Sequence, residues 1–260
     1  MIIPLLSQVD SWLYRAVQSA LNQSVPTQVI VVTAERTQQS NLMILQNLCR
    51  DHRNLTIAPQ QGVGFANALN EGIRIAKTPR VGFLLSDDWL LPTAVESCLH
   101  HSSTIVSTSL LAFAEDGVTS IVGADCFINR SRYDRLPTLE RKADYLSHFF
   151  LFYREAILSI GGVDETIGDA PGIDDYDMIW TLLENGATVS IVECPLYCYR
   201  DHGRQRLTLR PPLEQIKTLL KIFDKHKIYE PERSTLLAAH AAWFGRPIHE
   251  VLGSVPESGC

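Results

Sequence analysis

No stretch of this chain approaches the roughly 18 consecutive apolar residues that a membrane-crossing helix needs, so no span is expected. The block HFFLFY, from His148 to Tyr153, is far too short. The opening MIIPLLSQVD has no positively charged start and only a brief apolar run, which is not the pattern of a secretory signal. Positive charge is also scarce: 23 Lys and Arg face 29 Asp and Glu, a net charge of −6. Non-specific nucleic-acid binding needs basic surface to displace counterions, so this acidic chain is a poor candidate for that class and no nucleic-acid partner is expected. Six cysteines occur (Cys49, Cys98, Cys126, Cys194, Cys198 and Cys260), but no Cys-x-x-Cys pair. No second Cys/His pair follows Cys194 and Cys198 at zinc-ligand spacing, so free, mostly buried thiols in a reducing cytoplasm are expected. Internal repeats and low-complexity segments are missing too.

What is present is an ordinary globular composition, 45% hydrophobic and 20% charged over 260 residues. That length fits one large domain, or one domain with an appendage. The first half alternates strand and helix patterns. Strands are expected at 1–4, 28–33, 55–58 and 81–85, and helices at 12–22, 41–50 and 65–76. Continuous apolar strands between helices imply an α/β fold with a mainly parallel sheet covered on both faces. Ligands of such sheets bind beyond the carboxyl ends of the strands, which directs attention to the residues after each one. In the second half, strands are expected at 103–113, 118–122, 188–192 and 196–200. Helices are expected at 154–160 and 173–184, with a helical tail after Pro211-Pro212.

Three segments carry chemistry. Ser86-Asp87-Asp88-Trp89 follows a buried strand. Adjacent carboxylates repel unless solvated, paired or bridged by a cation; Mg²⁺ and Mn²⁺ prefer such oxygens. The alternative is a helix cap near Pro92. Asp174, Asp175 and Asp177 open a helix, where acidic side chains suit the helix dipole and also suit accepting a proton from a hydroxyl. Tyr199-Arg200-Asp201-His202 ends a strand, with Arg204 and Arg206 beyond it. The histidine there fits a metal or phosphate contact, or a solvated loop; arginines bind phosphate oxygens bidentately.

The order of these features resembles the family 2 glycosyltransferases of the GT-A fold, from about residue 1 to residue 208. Pro4 ends the first strand, and Ser19-Ala-Leu-Asn-Gln23 is similar to the family's Ser-x-x-x-Gln helix end. Gly64 through Asn70-Glu-Gly72 resembles its Asn-x-Gly segment. The run from Phe83 to Pro92 resembles its acidic metal-binding motif, and 152–165 the stretch ahead of its base. Asp174-Asp-Tyr-Asp-Met with Leu-Glu-Asn-Gly186 resembles its base-bearing helix, and Tyr199-Arg-Asp-His202 its closing strand. The chain departs from the pattern at Leu85, where an Asp is expected, at Leu69, where Arg is frequent, and at Thr33-Ala-Glu-Arg36, which leaves Glu35 as the acidic contact to base or ribose. These departures leave the nucleotide base open.

The resemblance implies a Rossmann-like catalytic domain over 1–210, with a nucleotide-sugar-binding half (1–105) and an acceptor-binding half (106–210); the helical pattern beyond it is expected to form an extension (211–260). It implies inverting transfer from a UDP- or GDP-sugar to a saccharide or lipid-linked acceptor. Asp87, Asp88 and His202 would hold Mn²⁺ or Mg²⁺. Asp175, rather than its neighbour Asp174, would be the base. Pro4, Glu35, Gly64, Asn70, Ser86, Asp87, Arg200 and Arg204 would contact the donor. Expected alternatives are a nucleotidyltransferase, disfavoured because Leu5-Leu-Ser-Gln-Val lacks glycine and charge, and a catalytically silent nucleotide-sugar-binding protein. In the tail, Leu213, Ile216, Leu220 and Phe223 share one helical face, and Lys217, Lys221 and Lys225 another. The apolar stripe is expected to pack on the catalytic domain or a second copy, a homodimer. The lysine stripe suits peripheral contact with an anionic inner-membrane surface.

Overall fold

The computed structural model describes residues 1–121, 126–146, 149–167, 174–203 and 212–241. The first half runs β1 (Ile2–Leu5), α1 (Asp10–Leu21), β2 (Val29–Thr33), α2 (Gln39–Asp51), β3 (Leu55–Pro59), α3 (Phe65–Ile75), β4 (Arg80–Gly82), β5 (Trp89–Leu90) and α4 (Ala94–Leu99). The second runs β6 (Ile105–Phe113), α5 (Arg130–Arg135), α6 (Leu139–Tyr145), β7 (Phe149–Tyr153), α7 (Arg154–Ser159), α8 (Asp174–Glu184), β8 (Val189–Arg200), α9 (Pro212–Lys225) and α10 (Glu232–Ala241).

β1, β2 and β3 pair in parallel. A second sheet has the order β4-β7-β6-β8-β5, with β6 and β8 parallel and the other pairs antiparallel. The two sheets meet where Ile2 bridges Phe83 in parallel and the Leu84 N–H donates to the Ile2 carbonyl at 3.0 Å. This is the α/β, mainly parallel architecture expected.

Alternation along the strands explains the layers. Successive side chains point to opposite faces. Ile2, Ile30, Val32, Phe150 and Phe152 belong to a core shared with α3, α8 and α9. Ile3, Val29, Val31, Phe149 and Leu151 belong to the opposite core, against α1, α2 and α4. A strand buried on both faces has to read as a continuous apolar run, as VIVVT and FFLFY do.

Three expectations are corrected. The strand expected at 118–122 is reduced, among the described residues, to a single bridge between Ser120 and Phe113. The two strands expected at 188–192 and 196–200 are one, because Pro195 sits in an irregularity where β8 gains residues against β6: Thr108 pairs with Val192, Ser109 with Pro195 and Leu110 with Tyr197. A bulge tolerates a residue without an N–H. Finally, the buried stripe of α9 is Gln215, Thr218, Leu219, Ile222 and Phe223, whereas Leu213 is 62% exposed. Lys221 and Lys225 turn toward the protein, which rotates the helix away from the expected face. Leu219, Ile222, Phe223 and Leu236 lie in the same core as α3 and α8, so these C-terminal helices pack directly onto the sheet's helical layer.

Candidate active site

The crevice lies where β1 and the segment after β4 part. Ile2 still accepts from Leu84, but two residues on, Pro4 has no N–H with which to extend that ladder. Pro4 is buried in β1 opposite Val32. The loop after β1 is pinned by Asn41, fully buried on α2: its amide oxygen accepts from the Gln8 N–H at 2.8 Å, and its NH₂ donates to the Gln8 carbonyl and to Asp10. In the departing segment after β2, the Thr33 hydroxyl donates to the Ala58 carbonyl and Thr37 to the Leu5 carbonyl, so both hydroxyls brace neighbouring strands. Glu35 is left exposed at the turn. Gly64 caps α3 with φ +94°, a conformation side chains resist, and Gln60 donates to its carbonyl at 2.7 Å.

After β4, Ser86 is half-buried, with Gln8 Nε2 3.5 Å from its Oγ. Asp87 Oδ2 lies 2.9 Å from His202 Nε2. The Asp87 side chain keeps 21% of its surface exposed, whereas the His202 side chain keeps 1%, packed 4.5 Å from the Trp12 ring. Asp88 points the other way. Its carboxylate is buried and accepts from the Tyr197 hydroxyl and, at 2.7 Å, from the Arg200 N–H. Burial, then the Asp88 charge, push the Tyr197 phenol well above its ordinary value, which keeps it a donor. The expectation that Asp88 contacts a cation beside Asp87 therefore meets a side chain turned into the β5–β8 core.

Arg200 is likewise engaged. Its guanidinium donates to the backbone carbonyls of Asp87 (3.0 Å) and Glu115 (2.7 Å) and lies 4.7 Å over Trp12 and 5.0 Å over Trp89. Arg15 stacks on Trp89 at 3.6 Å and donates to the Gly117 carbonyl. Burial, then the Arg15 charge, pull Arg200 below its ordinary value. Two arginines and two tryptophans thus form a ladder behind Asp87 and His202, and Arg200, expected to contact the donor, is a strut of that ladder. Sequence reasoning missed Trp12, Arg15, Trp89 and Tyr197. Their signal was weak: aromatic and basic side chains on buried helix and strand faces.

Asn70, also expected at the donor, grips the chain after α7. It accepts from the Val163 N–H and donates to the Val163 carbonyl and to Glu165, each at 2.8 Å. Gly162 permits this: its φ is +89°, and a Cβ there would stand 2.5 Å from Asn70 Oδ1.

Asp175 lies in the first turn of α8, half-buried, with Oδ1 accepting the next N–H at 3.0 Å. A short turn joins α8 to β8, the strand that leads on to Arg200 and His202. Asp174 begins α8, but its side chain lies outside the described residues, as do Arg204 and Arg206. Among the described residues, no three His, Cys, Asp or Glu side chains gather as a metal cluster. The site offers a pair, Asp87 and His202.

With this geometry in view, comparison with known proteins gives a consistent result. Residues 1–159 match the model of glycosyl transferase family 2. The chain is 29% identical over 182 residues to a chondroitin synthase of Escherichia coli, covering 68% of this chain and 25% of that protein. It is 29% identical over 181 residues to a hyaluronan synthase of Pasteurella multocida, covering 68% and 18%. The chain thus spans a quarter or less of these curated relatives. Among solved structures it is similar to residues 1–349 of TarS from S. aureus in complex with UDP-GlcNAc, with a TM-score of 0.66, 15% identity, and coverage of 93% and 69%. It is also similar to the mannosyltransferase PcManGT of Pyrobaculum calidifontis in complex with GDP-Man and Mn²⁺, with a TM-score of 0.62, 16% identity, and coverage of 100% and 76%. These identities speak to the fold alone, and they agree with the GT-A-like strand order. On the match of its first 159 residues, the chain belongs to glycosyl transferase family 2.

Proposed function

We propose that this chain transfers a sugar from a nucleoside-diphosphate donor to a saccharide hydroxyl with inversion, using a divalent cation at Asp87 and His202 and Asp175 as general base. Residues 1–105 would hold the donor and 106–210 the acceptor. The observation that carries the reading is the Asp87–His202 pair at the crevice, its two donor atoms 2.9 Å apart. Asp87 and His202 share a hydrogen bond in this structure, and a carboxylate beside an imidazole is a ligand set that would hold Mn²⁺ or Mg²⁺ in its place. Carboxylate and imidazole together favour Mn²⁺ within that choice. When bound, the cation supplies charge neutralisation for the departing diphosphate.

The rest is the protein's own chemistry. Asp175 takes the proton of the acceptor hydroxyl as its oxygen bonds to the anomeric carbon. The bond from that carbon to the phosphate oxygen breaks on the opposite face, and its electron pair leaves with the nucleoside diphosphate. Asp88 and Arg200 keep the Asp87 backbone and the end of β8 in place. The saccharide acceptor is supported by relatives named for making chondroitin and hyaluronan, and a nucleotide-sugar donor by the complexes named with UDP-GlcNAc and GDP-Man.

Among the described residues no helix is long and apolar enough to cross a membrane. Peripheral contact through the lysine stripe of α9 loses support, because Lys221 and Lys225 both bond back to the protein.

A thermal-shift panel of UDP- and GDP-sugars, with and without Mn²⁺, identifies the donor, since a ligand of the folded state raises Tm. Release of nucleoside diphosphate then tests the chemistry. Asp87→Asn should lose the Mn²⁺ response, and Asp175→Asn should bind donor yet transfer at least about 10²-fold more slowly. Full activity in EDTA overturns the cation, and full transfer by Asp175→Asn overturns the base. Donor binding without turnover under any condition would mark a silent binding protein.

A further inference from the structure

The described chain between α7 and residue 167 forms a strap across the helical layer. On one side it is fastened to α3, which follows the loop 60–64 that is the proposed donor loop. Asn70 holds Val163 through both backbone groups, and Glu165 receives hydrogen bonds from Asn70 (2.8 Å) and Asn67 (3.0 Å). Asn67 in turn accepts from the Gly62 N–H at 2.9 Å, inside the donor loop. The strap is thus fastened to the donor half.

On the other side stands α9. Lys225 Nζ lies 3.0 Å from Asp164 of the strap and 2.7 Å from Asp177 of α8. Lys221 Nζ reaches the Thr166 and Ile167 carbonyls at 3.4 and 3.3 Å. His226, the residue after Lys225, stacks on Trp180 at 3.9 Å with the rings 5° from parallel, and its Nε2 lies 3.0 Å from Asp177. Asp177 is two residues beyond Asp175. Its side chain is 2% exposed, so its charge requires a partner in place.

From this we infer that Lys225 is a positioning residue that sets the base helix against the donor half, by stapling the strap to the first turn of α8. The inference rests on Asp175 being the base. Its consequence is that the distance between donor and acceptor depends on a side chain of α9, beyond the residues 1–159 that carry the family match. A lysine suits the task because one ammonium offers three donors to two carboxylates from different elements. Small misplacements of a reacting group are costly, up to about 10²-fold for a shift near 1 Å.

The experiment uses the full chain, Mn²⁺, and the UDP- or GDP-sugar selected by the thermal-shift panel. Lys225→Met should lower kcat for nucleoside diphosphate release by about 10- to 100-fold, leaving donor KM and the stoichiometry of binding of that donor's own diphosphate, UDP or GDP, unchanged. Lys225→Arg should restore most of the rate, because it can still bridge Asp164 and Asp177. Asp164→Asn releases the strap end without stranding a buried charge, and should lower kcat in the same direction by less. In amide exchange, peptides from α8 should lose protection in Lys225→Met while those from α3 do not.

Parental kcat in Lys225→Met, with Asp175→Asn inactive, overturns the staple. So does a fall in kcat matched by a fall in the stoichiometry of UDP or GDP binding, which would report unfolding. If Asp175→Asn is as active as the parent, the base assignment fails instead, and unchanged α8 exchange in Lys225→Met would then overturn the staple by itself.

Discussion

Asp87 and Asp88 are neighbours in sequence with opposite duties, and substituting each with Asn separates them. Asp88 is 1% exposed and accepts from two buried donors, the Tyr197 hydroxyl and the Arg200 N–H. An amide at 88 keeps one acceptor oxygen where the carboxylate had two. One donor must lose its acceptor, or the tyrosine must turn to accept instead. A buried donor left unpaired costs about 1–3 kcal/mol, and the bond given up to a charged acceptor is worth a similar amount. At roughly 2–4 °C per kcal/mol for a domain near this size, Asp88→Asn should lower Tm by about 5 °C. Asp87→Asn breaks a contact on a side chain 21% exposed and should change stability by less than about 1 kcal/mol. The assay is thermal unfolding in EDTA, where no cation contributes, followed by Mn²⁺ titration in the presence of UDP. Asp88→Asn should melt early yet show the parental Mn²⁺ midpoint once folded, and Asp87→Asn should do the reverse. An Asp88→Asn protein with parental Tm and a lost Mn²⁺ response would refute the reasoning, because Asp88 would then face the cation.

Other consequences are quicker to check. Phe223 is fully buried, so Phe223→Ala should cost about 3–5 kcal/mol in urea unfolding, whereas Leu213→Ala, at an exposed position, should stay within about 0.5 kcal/mol. Burial pushes the Cys98 and Cys198 thiols up to about 12, while Cys194 is exposed; iodoacetamide on the native protein should label Cys194 and spare Cys98 and Cys198. The Asp164–Lys225 ion pair of the staple should be insensitive to pH across the neutral range. Burial alone would raise Asp164, but bonds from Thr166 and Lys225 hold it below its ordinary 3.8; that stability is present above 3.8 and lost as pH falls through the depressed value. Burial alone would lower Lys225, but bonds to Asp177 and Asp164 hold it above 10.5; its contribution is present below 10.5 and lost as pH rises through the raised value. The Tm gap between the parent and Lys225→Met should therefore hold from about pH 5 to pH 9 and narrow outside that range; a gap that varies within it would contradict the assignment.

The alternating layers were readable because strands covered on both faces leave no room for polar residues, and VIVVT could be little else. Asp87, Asp175 and His202 were readable as candidates because each follows or opens a regular element. The inward turn of Asp88 was not, since its partners come from β8, 109 and 112 residues away. Nor was the true face of α9. Hydrophobic periodicity weighed Leu213 above Gln215 and Thr218, while two lysines paired with distant groups decided the rotation. The division at 193–195 was not legible as a bulge, because the register shift of β8 against β6 that accommodates Pro195 is set by a strand about 85 residues away.

That bulge divides β8 into two parts with different tolerance for change in length. Downstream of Pro195, Tyr197, Arg200 and His202 each meet a fixed partner, and side chains alternate faces along the strand. One residue inserted at 198 or 199 would turn Arg200 and His202 to the wrong side and dismantle the crevice in a single step. Upstream, around Glu193 and Cys194, the ladder is already out of register and the backbone already bends, so an added residue enlarges an existing irregularity. Evolution by insertion and deletion thus has a permitted window in this strand, and it closes a few residues before the chemistry begins.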